Sequence, residues 1–475
     1  MGVVSRPGAA TPADDAVAVV ILAAGAGSRM RSALPKPLHP VAGLPMAAHV
    51  VDAAAGAAPG RTILVVGPQT RDLAARLGLA DDLITVVQET PRGTGDAVRV
   101  ALPAVGDARC VVVLYADHPL LEAKTVAGLV ETARTSGARA TILTTTLDDA
   151  AGYGRIERDA AGNVTGIVER ADDDLALRAG RIEINSGMMA LDADWARAAL
   201  AALAPSPATG EIYLTDLVAR AVAERAAGAS WPVATVAGPD EVALGVNDRI
   251  ELAAADGRLR RRIRDELMHA GVSFVGPETS FIDARVGIGP DTTIHPFTIV
   301  AAGTTIGAGC EIGPHAVIRD SRIGGGVTIR GATLDGAIVG AGSDIGPYSH
   351  LRPGATLGER VHIGNYVEVK NSRLGDDAKS GHFSYLGDAD IGSGANIGAG
   401  AITANYDGER KHPTVIGARA FIGSDTILRA PVTIGDDART GAGSVVTKDV
   451  PAGATAVGVP ARIVRGGHGE TQKGA

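Results

Sequence analysis

An aliphatic residue recurs at every sixth position through most of the second half of the chain, and this period constrains the fold more than any other feature. The recurring residues are Ile288, Ile294, Val300, Ile306, Ile312 and Ile318, then Ile345, Leu351, Leu357, Ile363 and Val369, then Ile416, Ile422, Leu428 and Ile434. Glycine often follows the aliphatic residue, as in Ile-Gly at 288 and 306. Such hexapeptide repeats predict a parallel β-helix whose repeated side chain points into a narrow core.

The composition of the whole chain suits tight, repetitive backbone packing and limits the possible binding partners. Aromatic residues make up 3% of 475 residues, whereas 63 residues are glycines. A chain of this length is expected to form two or more domains. The formal net charge of −8 argues against a nucleic-acid partner. The two cysteines, Cys110 and Cys310, fit a reducing cytoplasm better than a disulfide scaffold.

The chain ends and the hydropathy argue against a membrane protein. No apolar run is long enough to cross a bilayer, and residues 1–15 lack the apolar stretch of a signal peptide. Residues 1–15 and 466–475 are predicted to be a disordered leader and tail. We therefore expect a cytoplasmic protein with no membrane partner.

Short β-branched runs alternate with alanine-rich helical stretches between residues 16 and 246. The runs are residues 17–23, 62–67, 83–88 and 110–117. This alternation predicts an α/β domain, with a parallel sheet covered by helices on both faces and a ligand site at the carboxyl ends of the strands.

Residues 247–270 are predicted to form one linker helix, followed by the β-helix domain over residues 271–465. Leu259, Ile263 and Leu267 fall four residues apart, on one face of this helix. The basic residues Arg258, Arg260, Arg261, Arg262 and Arg264 are interpreted as a solvated face of the same helix.

The segment LAAGAGSRMRSALPKPL, residues 22–38, directly follows the first predicted strand. It matches neither a Walker A loop nor a GxGxxG fingerprint. Gly25 and Gly27 let backbone N–H groups approach a phosphate closely, and Arg29 and Lys36 add fixed positive charge. The segment is similar to the LxxGxGxRM…PK signature of sugar-1-phosphate nucleotidyltransferases, which have a Rossmann-like domain.

Later segments match that family in chain order, and the following roles are what the resemblance implies. The nucleotide sugar would be bound by Leu22, Ala23, Ala24, Gly25, Lys36, Gln88, Gly93, Thr94, Tyr115, Gly154, Glu169, Asn185 and Asn247. Among these, Gln88, Gly93 and Thr94 resemble the base-reading segment. Asp117, at a strand end, and Asn247 would be ligands of Mg²⁺. Arg29 and Lys36 would be catalytic, because they neutralise charge on the phosphates during nucleotidyl transfer.

Polar residues interrupt the hexapeptide pattern at SGHFSYLGDA, residues 380–389. Arg352 and Lys370 precede His382 by distances close to whole coils, so stacking could bring the three side chains onto one edge. Two cations and Tyr385 suit an anionic sugar phosphate, and a histidine beside them suits a general base. The insert TANYDGERKHP, residues 403–413, has no hexapeptide pattern and is predicted to leave the coil as a loop.

Together these segments resemble the family of bifunctional N-acetylglucosamine-1-phosphate uridyltransferases/glucosamine-1-phosphate acetyltransferases, over roughly residues 17–446. The resemblance implies acetyl transfer from acetyl-CoA, then uridylyl transfer from UTP, in cell-wall precursor synthesis. It also implies a left-handed β-helix and a homotrimer. His382 would be the base. The sugar phosphate would be held by Arg352, Lys370, Tyr385, Asn396 and Lys411, the last reaching from a neighbouring chain. Acetyl-CoA would be bound by Asn405, Tyr406, Ser424, Ala442 and Arg462.

Five positions depart from the pattern of that family, all near the nucleotidyl site. Asp96 stands where the family has histidine, Ala116 where it has glycine, His118 where it has valine, Arg92 where leucine is common, and Ala171 where lysine is usual. Two alternatives therefore stay open. The chain could act on another sugar-1-phosphate, or an inactive β-helix could merely trimerise a monofunctional nucleotidyltransferase.

Overall fold

The computed structural model describes residues 16–465 apart from residues 26, 149, 151, 170–172, 174–179 and 208. The predicted leader and tail, and Ala171, lie outside the described residues. The chain divides into two compact units, and the boundary falls between Leu259 and Arg260. Among the helices that the structure describes, none is both long and apolar enough to cross a membrane.

A nine-stranded sheet lies at the centre of the first unit within the described residues. The strands of this unit, including a separate two-stranded sheet of β2 and β3, are β1 (Val17–Ala23), β2 (Pro40–Val41), β3 (Leu44–Pro45), β4 (Arg61–Val66), β5 (Ile84–Val87), β6 (Cys110–Tyr115), β7 (Ala140–Leu147), β8 (Arg155–Arg158), β9 (Val164–Val168), β10 (Ile182–Asp192) and β11 (Val233–Ala237). The α-helices of the described residues are α1 (Met46–Ala54), α2 (Leu73–Arg76), α3 (Thr94–Val105), α4 (Ala123–Ser136), α5 (Ala193–Ala201), α6 (Asp216–Ala223) and α7 (Arg249–His269).

The main path of the sheet has the spatial order β11-β7-β10-β6-β1-β4-β5. The predicted Rossmann-like α/β class is confirmed, and the four predicted strands lie within two residues of their expected bounds. The expectation of a wholly parallel sheet is wrong, because β10 is antiparallel to both β6 and β7. The hairpin of β8 and β9 follows β7 where a crossover helix would otherwise stand, so β10 enters the sheet reversed.

Both faces of strand β1 are buried, which explains why its sequence is apolar without alternation. Val17, Val19 and Ile21 pack into one core, with residues of α1 and α4. Ala18 and Val20 pack into the core on the opposite face, with residues of α3 and α5. Successive strand residues point to opposite faces, so a strand between two helical layers needs a continuous apolar run.

The basic run of helix α7 is not a uniformly solvated face, and this corrects the sequence interpretation. Arg264 is only 6% exposed and donates to the carbonyl oxygen of Ser280 at 3.3 Å. Arg260 forms an ion pair with Asp283 at 2.9 Å. Both side chains contact the first coil of the β-helix. Because these contacts remove them from water, their charges need polar partners in the protein.

Three parallel sheets form the faces of the β-helix within the described residues, with twelve, ten and nine strands. The first comprises β12 (Ser273–Phe274), β15 (Thr293–Ile294), β18 (Glu311–Ile312), β21 (Thr328–Ile329), β24 (Asp344–Ile345), β27 (His362–Asn365), β30 (Lys379–His382), β33 (Asn396–Ile397), β36 (Phe421–Ile422), β39 (Arg439–Thr440), β41 (Thr455–Gly458) and the antiparallel β42 (Ala461–Arg465). The second comprises β13 (Phe281–Ile282), β16 (Ile299–Val300), β19 (Val317–Arg319), β22 (Thr333–Asp335), β25 (His350–Leu351), β28 (Glu368–Lys370), β31 (Tyr385–Gly387), β34 (Ile402–Ala404), β37 (Ile427–Arg429) and β40 (Val445–Val446). The third comprises β14 (Gly287–Ile288), β17 (Thr305–Ile306), β20 (Arg322–Ile323), β23 (Ile338–Val339), β26 (Thr356–Leu357), β29 (Arg373–Leu374), β32 (Ala389–Ile391), β35 (Thr414–Ile416) and β38 (Val432–Ile434).

The repeated aliphatic residues fill the core of the coils, which confirms the predicted left-handed parallel β-helix. All fifteen of them are no more than 8% exposed. Ile288 pairs with Ile306, so three hexapeptides make one coil. The repeat also continues through Ile323, Leu334 and Val339, which the six-residue pattern missed because the spacing before each is five residues. The predicted loop leaves the coil after Ala404 and rejoins it at Thr414.

Candidate active sites

A pocket at the carboxyl ends of β1 and β6 gathers many of the residues predicted to bind the nucleotide. A cavity of about 390 Å³ is lined by Leu22, Ala24, Gly25, Gln88, Gly93, Thr94, Tyr115 and Asp117, among others. A second cavity, of about 280 Å³, shares Leu22, Gly25 and Asp117 with the first, and its lining adds Ala23, Arg29, Lys36 and Asn247. The pocket therefore lies where an open α/β sheet is expected to bind its ligand.

Gly27 lets Lys36 approach the glycine turn closely. Its φ is 61°, and a Cβ atom there would lie 2.6 Å from the Cβ of Lys36. Lys36 itself begins the short 3-10 helix Lys36–Leu38, directly after Pro35. The Gly-x-Gly and Pro-Lys parts of the motif are thus in contact, and a side chain at Gly27 would separate them.

Three segments that are distant in sequence meet in a cluster of charged and polar side chains. Lys36 Nζ lies 2.5 Å from Asp117 Oδ2 and 3.0 Å from Asn247 Oδ1. Arg29 Nη2 donates to Asn247 Oδ1 at 3.0 Å. Burial acts to raise the pKa of Asp117, but the hydrogen bond from His118 and the charge of Lys36 hold that pKa well below its usual value. Asp117 is therefore an anion in direct contact with the ammonium group of Lys36.

The oxygens of Asp117 and Asn247 are suited to a hard divalent cation. Both accept from the single ammonium group of Lys36, so they are close enough to share one cation. No cluster of three or more histidine, cysteine, aspartate or glutamate residues with metal-binding geometry occurs in the described part of the chain. Mg²⁺ at phosphate-transfer sites commonly takes only one or two protein oxygens, together with substrate phosphates and water. The donor set therefore fits Mg²⁺.

Three nearby residues, Asp248, Glu251 and His118, fix these oxygens in position. Asp248 Oδ1 accepts from the backbone N–H groups of Ile250 and Glu251, and Glu251 accepts from the N–H of Asn247, so Asn247 is held at the start of α7. His118 Nδ1 donates to Asp117 Oδ1 at 2.8 Å. The contact of His118 with Asp117 was not predicted, although a histidine at position 118 departs from the family pattern.

Gly154, Glu169 and Asn185, three of the residues predicted to bind the nucleotide sugar, also lie close together. The N–H of Asn185 donates to the carbonyl oxygen of Gly154 at 2.9 Å. A Cβ atom at Gly154 would lie 3.4 Å from both carboxylate oxygens of Glu169, so glycine leaves room beside that carboxylate. Thr215 donates to Glu169 at 3.4 Å. The backbone of Asn185 and the carboxylate of Glu169 thus both lie beside Gly154, and a carboxylate there can accept hydrogen bonds from sugar hydroxyls.

A second cluster lies on the coils, where stacking brings the cations Arg352 and Lys370 together as predicted. The expectation that His382 stacks on the same edge is wrong, because Lys370 pairs with Gly387 of the next coil, whereas His382 lies in another sheet and pairs with Asn365. Leu351 pairs with Val369, and the N–H of Arg352 donates to the carbonyl oxygen of Val369, so Arg352 and Lys370 occupy adjacent coils. Arg352 is paired with Glu368 at 2.7 Å. The pKa of Lys370 is lowered, first by its hydrogen bond with Lys411 and then by burial.

The contact between Lys370 and Lys411 is made within one chain. It brings the inserted loop onto the coil surface that carries Lys370. The role of Lys411 toward a neighbouring chain stays a prediction.

His382 and Tyr385 flank the corner between two sheets. His382 ends strand β30 opposite Asn365, and Tyr385 begins β31 opposite Glu368. A Cβ atom at Gly387 would lie 2.6 Å from Tyr385 Cζ, so glycine there makes space for the tyrosine ring. Asn396 pairs with Lys379, at the opposite end of β30 from His382. The strand register of one chain therefore does not place Asn396 beside His382.

The residues predicted to bind acetyl-CoA lie on the later coils. Ser424 and Ala442 stack at one corner, since a Cβ at Gly398 would meet the nitrogen of Ser424, and one at Gly423 would meet that of Ala442. Asn405 is buried, whereas Tyr406 is exposed and forms a bridge with Lys411 in the inserted loop. Arg462 is exposed on strand β42 and donates to the adjacent carbonyl oxygen of Ala461 at 2.9 Å.

Three protein-family models match separate parts of the chain. The MobA-like NTP transferase domain family matches residues 19–160, the GMPPB C-terminal domain family residues 278–374, and the six-repeat bacterial transferase hexapeptide family residues 413–448.

Curated relatives match nearly the whole chain. The bifunctional protein GlmU of Pelobacter propionicus is 44% identical over 95% of this chain and 97% of its own length. The protein of that name from Heliobacterium modesticaldum is 46% identical over 92% and 94%. The one from Streptomyces coelicolor is 43% identical over 93% and 91%.

The fold and the two side-chain clusters define a bifunctional transferase, in which a nucleotidyltransferase domain precedes a hexapeptide-repeat transferase domain. Relatives at this identity over nearly the full length narrow the class further. The chain belongs to the GlmU family.

Proposed function

We propose that the pocket at the ends of β1 and β6 and the cation cluster of the coils carry out the two reactions of this enzyme with the residues named above. The chain is a glucosamine-1-phosphate acetyltransferase and an N-acetylglucosamine-1-phosphate uridyltransferase. Its substrates include acetyl-CoA and a nucleoside triphosphate. The acetylated sugar phosphate made in the first reaction is the acceptor of the second. The final products are UDP-N-acetylglucosamine and pyrophosphate.

In uridylyl transfer, a phosphate oxygen of N-acetylglucosamine-1-phosphate attacks the α-phosphorus of UTP, and pyrophosphate leaves. No covalent enzyme intermediate is needed, so catalysis comes from positioning and charge stabilisation. Arg29 and Lys36 hold the anionic oxygens, and the glycine turn at Gly25 and Gly27 offers backbone N–H groups. The convergence of Arg29 and Lys36 on Asn247 Oδ1, each at 3.0 Å, is the observation that carries this assignment.

Asp117 and Asn247 are proposed to hold Mg²⁺. When bound, the ion supplies charge stabilisation to the phosphates as a Lewis acid. The ionised state of Asp117, and the shared contact of both oxygens with one ammonium group, support this assignment. His118 keeps Asp117 Oδ1 occupied and leaves Oδ2 for a cation.

In acetyl transfer, His382 takes a proton from the ammonium group of glucosamine-1-phosphate. The free amine then attacks the thioester carbonyl of acetyl-CoA and the C–S bond breaks. The departing thiolate of CoA takes up the proton that the nitrogen releases as the amide forms. Arg352, Lys370 and Lys411 hold the sugar phosphate. The lowered pKa of Lys370 supports this role, because like charges held this close are stabilised by an anionic ligand.

We also propose a cytoplasmic homotrimer. Tyr348 and Tyr366 stack on one corner of adjacent coils, with ring centroids 5.2 Å apart, and both are more than half exposed. Phe383, 60% exposed, follows at the next coil of that corner. A row of exposed aromatic residues is typical of a protein interface. A site completed by a second chain would also account for the separation of Asn396 from His382.

One coupled assay tests both assignments. The purified chain is supplied with glucosamine-1-phosphate, acetyl-CoA, UTP and Mg²⁺, and free CoA thiol and UDP-N-acetylglucosamine are measured. Chelation of Mg²⁺ with EDTA should stop UDP-N-acetylglucosamine formation and leave thiol release unchanged. Thiol release that never exceeds a no-sugar control, with uridylyl transfer intact, would favour a β-helix with only a structural role.

A further inference from the structure

Asp96 is a buried acid that contacts the predicted base-reading residue Gln88. It lies in the first turn of α3 and is 1% exposed. Gln88 Nε2 donates to Asp96 Oδ2 at 2.9 Å. The other carboxylate oxygen, Oδ1, receives Nη2 of Arg92 at 3.3 Å and Nη2 of Arg99. An acid in the first turn of a helix interacts favourably with the helix dipole even when it is exposed to solvent. Helix stability alone therefore does not explain why Asp96 is buried against Gln88.

The carboxylate of Asp96 fixes which end of the Gln88 amide faces it. Burial acts to raise the pKa of Asp96, but hydrogen bonds from Gln88 and Arg99 and the nearby arginine charges lower it below its usual value. An ionised carboxylate can only accept hydrogen bonds, so the nitrogen of the amide must point toward it. The same nitrogen lies 3.3 Å from the carbonyl oxygen of Gly93, which takes its other N–H.

The remaining hydrogen-bonding capacity of Gln88 is therefore that of an acceptor. Among the described residues, none donates to Gln88 Oε1, and Gln88 lines the 390 Å³ cavity beside Gly93 and Tyr115. A base that enters this pocket meets a carbonyl oxygen. Uracil carries a donor at N3, whereas cytosine carries a lone pair at the same position.

We propose that Asp96 is a positioning residue for nucleotide selectivity, which orients the Gln88 amide so that Oε1 accepts from N3–H of uracil and opposes N3 of cytosine. This inference rests on the proposed uridylyl transfer and adds to it the group that sets the base preference. Arg92 and Arg99 occupy Oδ1 and leave Oδ2 to Gln88, so the cluster specifies one amide orientation.

The substitution Asp96→Asn tests this directly. Arg92 and Arg99 would retain the side-chain oxygen of the new amide, so its NH₂ group would face Gln88. Gln88 must then turn its own oxygen toward this NH₂ group at position 96, and the NH₂ group of Gln88 would face the base. We expect the ratio of kcat/KM for UTP to that for CTP to fall by about 10- to 100-fold, the effect of one mispaired hydrogen-bonding group.

The measurement is the initial rate with UTP and with CTP at saturating N-acetylglucosamine-1-phosphate. Asp82→Asn, an exposed acid of the same unit, is the matched control and should keep the wild-type ratio. Asp96→Ala is a second variant that frees the amide to take either orientation, and its ratio should fall by an intermediate amount. The ratio does not depend on the active fraction of a preparation, so partial unfolding cannot imitate the result.

Equal losses with UTP and CTP, which leave the ratio unchanged in both Asp96 variants, would overturn the inference and assign Asp96 a structural role. That result would leave the proposed function intact, because the wild-type enzyme would still transfer UMP from UTP. Failure of the wild-type enzyme to use UTP would instead refute the proposed function, and the inference with it.

Discussion

Lys36 Nζ lies within hydrogen-bonding distance of two oxygens, 2.5 Å from Asp117 Oδ2 and 3.0 Å from Asn247 Oδ1. One positive charge of the protein thus already bridges the pair of oxygens proposed to hold Mg²⁺. A metal ion must compete with this ammonium group unless nucleotide phosphates draw the lysine away. Metal binding and nucleotide binding are therefore expected to be coupled.

The substitution Lys36→Ala should tighten binding of a divalent ion in the absence of nucleotide, because it removes the competing charge. Uridylyl transfer should fall at the same time, since the phosphates lose a cation. Electron paramagnetic resonance of Mn²⁺, used in place of Mg²⁺, measures the affinity without turnover. An unchanged or weaker Mn²⁺ affinity would contradict the competition.

Asp117→Ala should abolish uridylyl transfer and leave acetyl transfer unchanged. Loss of an anionic metal ligand removes several kcal/mol of transition-state stabilisation, so the rate should fall about 10³-fold or more. Pyrophosphate release and CoA thiol release, measured on one preparation, provide the two readouts. Asp248 should not be used as a control because it caps the helix that begins beside Asn247, whereas the exposed Asp82 is suitable.

His382→Ala should have the opposite effect and lower acetyl transfer by about 10²- to 10⁴-fold, the range for loss of a general base. His295→Ala removes a histidine that is paired with Glu311 on an early coil and serves as the matched control. Normal thiol release by the His382 variant would exclude it as the base.

The pKa of Lys370 predicts a pH effect on binding of glucosamine-1-phosphate. The hydrogen bond with Lys411 lowers this pKa, so Lys370 should lose its proton, and its attraction for phosphate, below the usual lysine range. The KM for glucosamine-1-phosphate should then rise with pH through that lowered pKa. In Lys411→Gln the baseline KM should be higher, but its rise should come at a higher pH. If KM begins to rise at the same pH in the wild-type enzyme and in Lys411→Gln, the contact with Lys411 does not set the charge of Lys370.

Mixed trimers of His382→Ala and Lys411→Ala test whether one site is shared between chains. If Lys411 serves a neighbour, one interface of a mixed cyclic trimer pairs two intact residues, and about one third of the sites recover. If instead the contact of Lys411 with Lys370 in its own chain is the functional one, no site recovers in mixed trimers verified by mass. The result decides between the predicted role in a neighbouring chain and the contact seen within one chain.

The sequence predicted the parts of these sites that depend on local pattern. Asp117 was assigned from the resemblance to known nucleotidyltransferases and from its place just after a buried strand, and the stacking of Arg352 on Lys370 follows from the coil repeat. The contact of Asp96 with Gln88 was not predicted, because it depends on how the first turn of α3 packs beside the end of β5. The contact of Lys411 with Lys370 was also not predicted, because an inserted loop has no repeat from which its path could be inferred.

The shortened repeats that end at Ile323, Leu334 and Val339 have a consequence for how such a chain changes length during evolution. Each still pairs with the equivalent aliphatic residue of the preceding coil, Ile306, Ile318 and Ile323 respectively. The missing residue has been absorbed at the corners, while the strands keep their partners. Single-residue deletions and insertions should therefore survive at corners of the solenoid and be eliminated within its strands, where one lost residue would turn the buried side chain outward.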